Sequence, residues 1–445
     1  MTSRYRHRRG HRSGRYRPVA GTARSCVDQD QRSSRPPWWR PGWLTAPVLS
    51  VSVLSIASGI AQFGVTTVIR DVAVVFGEVA GDGALDQLGL PATTLGIALA
   101  LIRLSSLGSL PTAAMADRVG RRRVLLAAIA VGLTLTALSA LAWGFWVFVV
   151  LVAMARPLLS AVNAIAGVIA AEETDSSGRA WALALIAAAY GFGAGIVAVG
   201  RGLLPGETSF RPVMAFSLVP LLLLPVLARR IREPAIAAGR VAATGLPGRV
   251  PRELIGRVLL LATLVGAIAL ATGPGFTYLF VYGEGVLGAS PLLLSTLVLG
   301  AGPAGLFGIL VGRFAADRFG RTVTAGVTMA ATGLSVSFAY AGTTRELAIG
   351  YLLAITASSA FAPPTGALVA ELVPTSVRAT VAGWETVAGV VGAVIGLASF
   401  GVLADLTGGF AAAARWIGIG TAIIAIGFRF LPETRGRELD DPEGP

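Results

Sequence analysis

"ADRVGRRR" at Ala116–Arg123 returns as "ADRFGR" at Ala316–Arg321, which sets Asp117 and Asp317 200 positions apart. Each copy is a compact charged phrase embedded in apolar sequence. Charge-free runs of spanning length recur along the chain, at Leu44–Ile69, Val124–Ala155, Val258–Tyr282 and Thr322–Gly342. About 20 apolar residues in a helix cross a bilayer core, so the repeated phrase sits where lipid meets water. Two other landmarks keep the same spacing. Glu172 and Arg179 return as Glu371 and Arg378 with an offset of 199, and Glu233 returns as Glu433 with an offset of 200. A register held at three places marks two copies of one unit.

The composition agrees with a membrane solvent. Of 445 residues, 54% are hydrophobic and only 14% charged, with a mean hydropathy of +0.71; soluble domains carry about 25% charged residues. The chain reads as an all-α integral membrane protein with twelve spans, roughly 46–69, 93–115, 124–142, 146–171, 180–201, 212–230, 257–281, 290–312, 322–342, 347–370, 379–402 and 411–429. This gives a disordered basic tail 1–45, a six-helix bundle 46–230, a Gly/Pro/Arg-rich linker 231–256, a second six-helix bundle 257–430 and a tail 431–445. Trp38, Trp39 and Trp43 stand where span 1 enters the bilayer, a place suited to an aromatic belt.

The net charge of +13 does not point to nucleic acid, because of where it lies. Residues 1–45 hold eleven of the 37 basic residues and only two acids, Asp28 and Asp30. Such a tail is attracted to anionic headgroups. Loops on the side of both termini, without the tail, carry 19 arginines, against five on the other side: Arg70, Arg201, Arg211, Arg345 and Arg415. By the positive-inside rule both termini are cytoplasmic, and the expected location is the plasma membrane. Cys26 is the only cysteine and His7 and His11 the only histidines, all in the tail. The spans therefore hold no His/Cys metal cluster and no Ser-His-Asp set. Neither an enzyme, a metal nor a cofactor is expected.

The phrase between spans 2 and 3, Ala113-Ala-Met-Ala-Asp117-Arg118-Val-Gly120-Arg121-Arg122, resembles the signature of the major facilitator superfamily, with alanine in place of the leading glycine. In the second copy that position is Arg313. "ELVPTSVR" (Glu371–Arg378) and "PETRGREL" (Pro432–Leu439) resemble the markers of the sugar and metabolite porter branch. The glycine–proline motif of many drug antiporters is absent from span 5, where Gly191, Gly193 and Gly195 are followed by no proline. The resemblance implies two pseudo-symmetric six-helix bundles with helices 1, 4, 7 and 10 around a central cavity. It implies a gating role for Asp117, held against arginines and the amino end of helix 11, with Arg118, Gly120 and Arg121 beside it. Asp317 and Arg318, and the pairs Glu172/Arg179, Glu371/Arg378 and Glu233/Glu433, join that gating set.

Charged residues inside the spans are the functional candidates. Arg103 and Arg156 each lie ten residues into a span, ~15 Å deep at 1.5 Å per residue. Arg156 also matches the family's cavity-facing arginine on helix 4, although "RPLLS" follows it here; the alternative is a structural arginine bonded to carbonyls freed by Pro157. Glu385, about seven residues into span 11, is the candidate proton carrier, possible as a partner of Arg103 if the two reach each other. Asp71, at the outer end of span 1, is its rival. Glu284, in the short loop after span 7, reads as solvated. Gln62, Asn163, Tyr278, Tyr282 and Phe361 complete the expected substrate lining, with Pro363-Pro364 breaking helix 10. The resulting expectation is a secondary transporter of a small anionic or polyhydroxylated metabolite, working by proton-coupled symport as a functional monomer in the lipid bilayer, without nucleic-acid partners. A proton-driven exporter of hydrophobic compounds and a non-transporting sensor on the same fold are the alternatives.

Overall fold

A computed structural model describes residues 44–78, 85, 88–174, 178–204, 210–231 and 250–435. Among them twelve helices are long and apolar enough to cross a membrane: α1 (Ala46–Phe76), α2 (Ala92–Val119), α3 (Arg121–Leu141), α4 (Phe145–Glu172), α5 (Arg179–Leu203), α6 (Phe210–Ala228), α7 (Arg252–Thr277), α8 (Pro291–Phe319), α9 (Arg321–Ala339), α10 (Thr344–Leu372), α11 (Thr375–Thr407) and α12 (Phe410–Phe430). Each expected span has its helix. Trp38, Trp39, Trp43, Glu233, nearly all of the tail 1–45 and most of the linker lie outside the described residues.

Several helices begin where the sequence encodes a cap. The Thr45 hydroxyl accepts from the Val48 N–H and a proline occupies the first turn of α1; Ser290 and Pro291 do the same for α8. Thr343 and Glu346 form a reciprocal capping box on α10. Two expectations fail. α1 runs on past span 1 to Phe76, so Arg70 and Asp71 are helical. α10 passes through Pro363 and Pro364 without a break. Pro364 cannot donate to the Ala360 carbonyl, but α8 covers that oxygen so closely that a Cβ on Gly312 would come within 2.1 Å of it. Prolines are tolerated in membrane helices packed against neighbours.

The repeat is visible in the packing. Within the first half α1 pairs with α5, α2 with α4 and α3 with α6; within the second α7 pairs with α11, α8 with α10 and α9 with α12. Between halves, α2 packs on α11 and α5 on α8. These contacts lie at one end of the bundle. A Cβ at Gly96 would lie 2.6 Å from the Leu397 carbonyl oxygen, and one at Gly401 2.3 Å from that of Ala92. Gly195 abuts Leu299, and Gly202 abuts Leu292 and Ser295. All of these residues lie on the side of the bilayer opposite the two repeated phrases. That side is called the far side, and the other the signature side. The signature-side part of α2, Ser109–Val119, packs instead on α3 and α4 of its own half. The halves thus meet at the far side and part toward the signature side.

Gly120 and Gly320 end α2 and α8 and begin α3 and α9, with φ of 116° and 105°. Only glycine adopts such a backbone without steric penalty, which accounts for its place in both copies of the phrase.

Candidate functional site

Between the halves lies a cavity of about 250 Å³, walled by α1, α2, α4, α5, α7 and α11. Arg103 from α2 and Arg156 from α4 both line it, together with Gln62, Thr66, Tyr190, Thr272 and Phe276. A hydrogen-bonded ladder ties α1 to α4 behind Arg156. The Arg156 Nη1 donates to the Gln62 carbonyl at 3.4 Å, the Ser160 hydroxyl to Gln62 Oε1 at 3.2 Å, and Gln62 Nε2 to the Ser58 hydroxyl at 2.8 Å. Asn163 Nδ2 also donates to Ser58 Oγ, at 3.0 Å. Arg156 therefore bonds a carbonyl of α1 rather than one freed by Pro157. The Nε atoms of Arg103 and Arg156 are buried without a hydrogen-bond partner, as is Asn163 Oδ1. Among the described residues neither arginine forms an ion pair.

On the far side a charged cluster joins the two halves. Arg201, at the end of α5, is fully buried and grips Asp71 of α1 through two bonds of 2.9 Å. It also reaches Glu284 of the other half at 3.3 Å, and Arg70 approaches the same carboxylate at 3.7 Å. Glu284 is buried because the chain after α7 turns at Tyr278 into a short helix, Leu279–Gly285, whose seven residues are all buried. The expectation of a solvated Glu284 is overturned. Burial is the largest influence on its carboxyl and pushes it up to about 7; Arg201 and Arg70 pull it down and Asp71 pushes it further up. Its ordinary value is 4.5, so the sealed arrangement takes up a proton that a hydrated Glu284 would release between those values. The far-side seal should be tightest in acid and loosen as pH rises through about 7. Far-side labelling of a cavity cysteine, followed against pH, should show that rise, and Glu284→Gln should flatten it.

On the signature side the two halves repeat one arrangement. Arg121 pairs with Asp117 at 3.0 Å and with Glu172, as Arg321 pairs with Asp317 at 3.2 Å and Glu371 at 3.4 Å. Arg179 donates to the Ala171 carbonyl at 3.0 Å and Arg378 to that of Ala370 at 2.7 Å. Glu433 caps the start of α9, accepting from the N–H groups of Arg321 at 2.8 Å and Thr322 at 3.1 Å and from the Thr322 hydroxyl at 2.6 Å. Burial alone would raise its carboxyl, but these bonds outweigh it and hold it below the ordinary carboxylate range. Arg318 lies over the Phe319 ring and Arg118 is exposed.

The sequence matches the Major Facilitator Superfamily profile over residues 51–321, well over half of the chain. The chain belongs to the major facilitator superfamily. It is a multi-pass membrane transporter, not an enzyme. Residues 253–443 also match the profile described as "Sugar (and other) transporter". The fold is similar to that of a D-xylose-proton symporter (TM-score 0.68, 17% identity, 88% of this chain and 99% of that one). It is also similar to the inward-open xylose transporter XylE from E. coli (0.65, 14%, 88% and 97%) and to the nucleoside transporter NupG (0.66, 13%, 86% and 99%). No match is found among curated proteins.

Within this facilitator fold, several expected site residues sit elsewhere. Tyr278 and Tyr282 are buried in a far-side aromatic cluster with Tyr340, Phe400 and Phe410. The Tyr278 hydroxyl donates to the Ala92 carbonyl at 3.3 Å, so it fastens one half to the other instead of lining the cavity. Phe361 packs edge-on to Phe428 of α12. Arg103 and Glu385 form no ion pair; Glu385 is half-buried, with Oε1 unpartnered, eight residues on the signature side of the cavity residue Ala393. Asp117 pairs with Arg121, away from the start of α11, as expected where the signature side is parted. Sequence reasoning missed Arg201, Arg70 and Tyr190. Arg201 and Glu284, opposite charges at the ends of two spans, were the available signal.

Proposed function

We propose that this transporter carries a small anionic or polyhydroxylated metabolite across the plasma membrane by alternating access, in symport with protons and as a functional monomer. The arginine asymmetry supports cytoplasmic termini, which makes the far side the outside and this conformation the one open to the cytoplasm. One observation carries the substrate reading: Arg103 and Arg156 line the same cavity, and among the described residues neither has a carboxylate partner. Buried cations are costly unless paired, so an anionic or hydrogen-bonding guest is the missing partner. An exporter of hydrophobic compounds would need an apolar cavity, and two guanidinium groups oppose that.

Gln62, Asn163 and Arg156 form the substrate-holding ladder, with Arg103 opposite. Glu385 is the proton carrier in this reading, because it is, among the described residues, an unpaired carboxyl on the cavity-lining helix α11, on the signature side of Ala393, while Asp71 is committed to Arg201. The repeated pairs around Arg121 and Arg321, with Glu433, brace each half during gating.

Proteoliposomes loaded with a pH-sensitive dye test this. Under symport, adding succinate, glycerol 3-phosphate or xylose outside acidifies the interior in at least one case. Glu385→Gln should abolish that acidification while leaving counterflow of the same labelled compound intact. Acidification that survives the substitution removes Glu385 from the coupling role.

A further inference from the structure

We propose that the substrate is an organic dianion, a phosphate monoester or compact dicarboxylate, held between Arg103 and Arg156. This rests on the transport reading above and narrows it. The lining offers two fixed cations and neither aspartate nor glutamate. A neutral sugar would leave both charges unanswered, and a monoanion one. Among the described residues neither arginine is paired with a carboxylate, and a guanidinium grips carboxylate or phosphate oxygens in pairs. Both cations come from the first half. The facing wall from α7 gives Thr272, Thr277 and Phe276, so the charged end of the guest points to the first half and a hydroxylated or apolar end to the second. The 250 Å³ volume lies below the ~300–1,000 Å³ of drug-sized pockets, which favours a small molecule.

Purified protein in detergent, titrated with glycerol 3-phosphate, succinate, butyrate and xylose, tests the class by thermal shift. A dianion should bind roughly 30-fold more tightly than butyrate or xylose, and Arg103→Gln should collapse that preference. Equal or stronger responses to butyrate or xylose, or none to either dianion, overturn the dianion assignment. A xylose response lost in Arg156→Ala would do so while leaving the small-metabolite reading standing. Responses unchanged in Arg156→Ala would remove Arg156 from the site and overturn the dianion assignment.

A separate observation concerns the far-side seal. The phrase Ala-Asp-x-x-Gly occurs a third time, at Ala404–Gly408, where α11 ends. Gly408 has positive φ, 71°, as do Gly120 and Gly320. Asp405 lies three residues before its glycine, as Asp117 does. Its carboxylate accepts from the Ala92 N–H at 3.1 Å and the Thr93 N–H at 2.7 Å, the first two residues of α2. α2 follows Pro91 and has no side-chain cap of its own, and α11 follows Pro374 and likewise has none. The two helices are antiparallel neighbours: Asp405 of α11 sits beside the uncapped start of α2, while Asp117 lies near the end of α2 that points toward the signature side, where α11 starts without a side-chain cap. We infer that Asp405 is the far-side counterpart of Asp117: it caps α2 while the far side is sealed, Asp117 caps α11 in the opposite state, and the cycle exchanges one cap for the other.

The test uses protein with Cys26→Ser and Thr66→Cys, labelled by a membrane-impermeant thiol reagent from each side of sealed vesicles. Asp405→Ala should raise far-side labelling roughly 2- to 30-fold, the range of a lost cap, and lower signature-side labelling; Asp117→Ala should do the reverse. Asp405→Asn, which keeps the acceptor oxygen, should restore most of the wild-type ratio. An unchanged ratio in Asp405→Ala, or equal rises on both sides, overturns the inference.

Discussion

Arg201→Ala is expected to destabilise the protein more than any other single change on the far side, by about 3–5 kcal/mol, the usual consequence of removing one member of a buried charge set. The reason is what the substitution leaves behind. Asp71 and Glu284 face the same fully buried guanidinium; without it two carboxylates remain close together, with only Arg70 near Glu284. One helix end of each half is involved, so the loss falls on the contact between halves as well as on the fold. A melt in detergent measures the first and far-side cysteine labelling the second. Asp71→Asn should cost less, since Arg201 keeps Glu284. Replacing Arg201, Asp71 and Glu284 together by Met, Leu and Leu should recover most of the stability, because apolar residues need no partner. A triple variant that melts as low as Arg201→Ala would mean that the shape of the contact, not unpaired charge, governs the loss.

Arg156→Ala should abolish the ligand-induced thermal shift while leaving the unliganded melt near wild type. Truncating one side of a desolvated charge pair costs about 2–5 kcal/mol, roughly 30- to 5,000-fold in Kd. The unliganded protein loses little, since Arg156 is held by one long contact, to the Gln62 carbonyl at 3.4 Å. Arg156→Lys keeps the charge but not the planar fork, so it should bind more weakly than wild type and better than Ala. A full ligand response in Arg156→Ala would place the binding energy elsewhere in the cavity.

The twelve helices were legible because hydropathy reports length directly, and the repeat because charged landmarks kept their spacing. The cavity arginines were legible for a related reason: a charge far inside a span has few places to go. Which way the uncharged residues face was not. In a helix apolar on every side no polar stripe reveals the buried face, so Tyr278 and Phe361 were expected in the cavity and instead pack between helices. Glu284 was misjudged because a short polar-looking connection was taken for a loop, whereas Leu279–Gly285 folds as a turn of helix tucked beneath the far-side surface. The prolines of α10 misled for the opposite reason. The local rule was sound, but α10 stays helical through both prolines, packed against Gly312 of α8 at the Ala360 carbonyl.

The backbone contact of α2 with α11 at Gly96 and Gly401 has a mechanical consequence. α2 is 28 residues long, ~42 Å at 1.5 Å per residue. With its fulcrum near one end, each degree of tilt displaces the other end by ~0.7 Å. Two missing methyl groups thus lengthen the lever arm to nearly the whole bilayer. A single Cβ at either glycine would shift the fulcrum and alter the stroke of the machine without touching anything it carries.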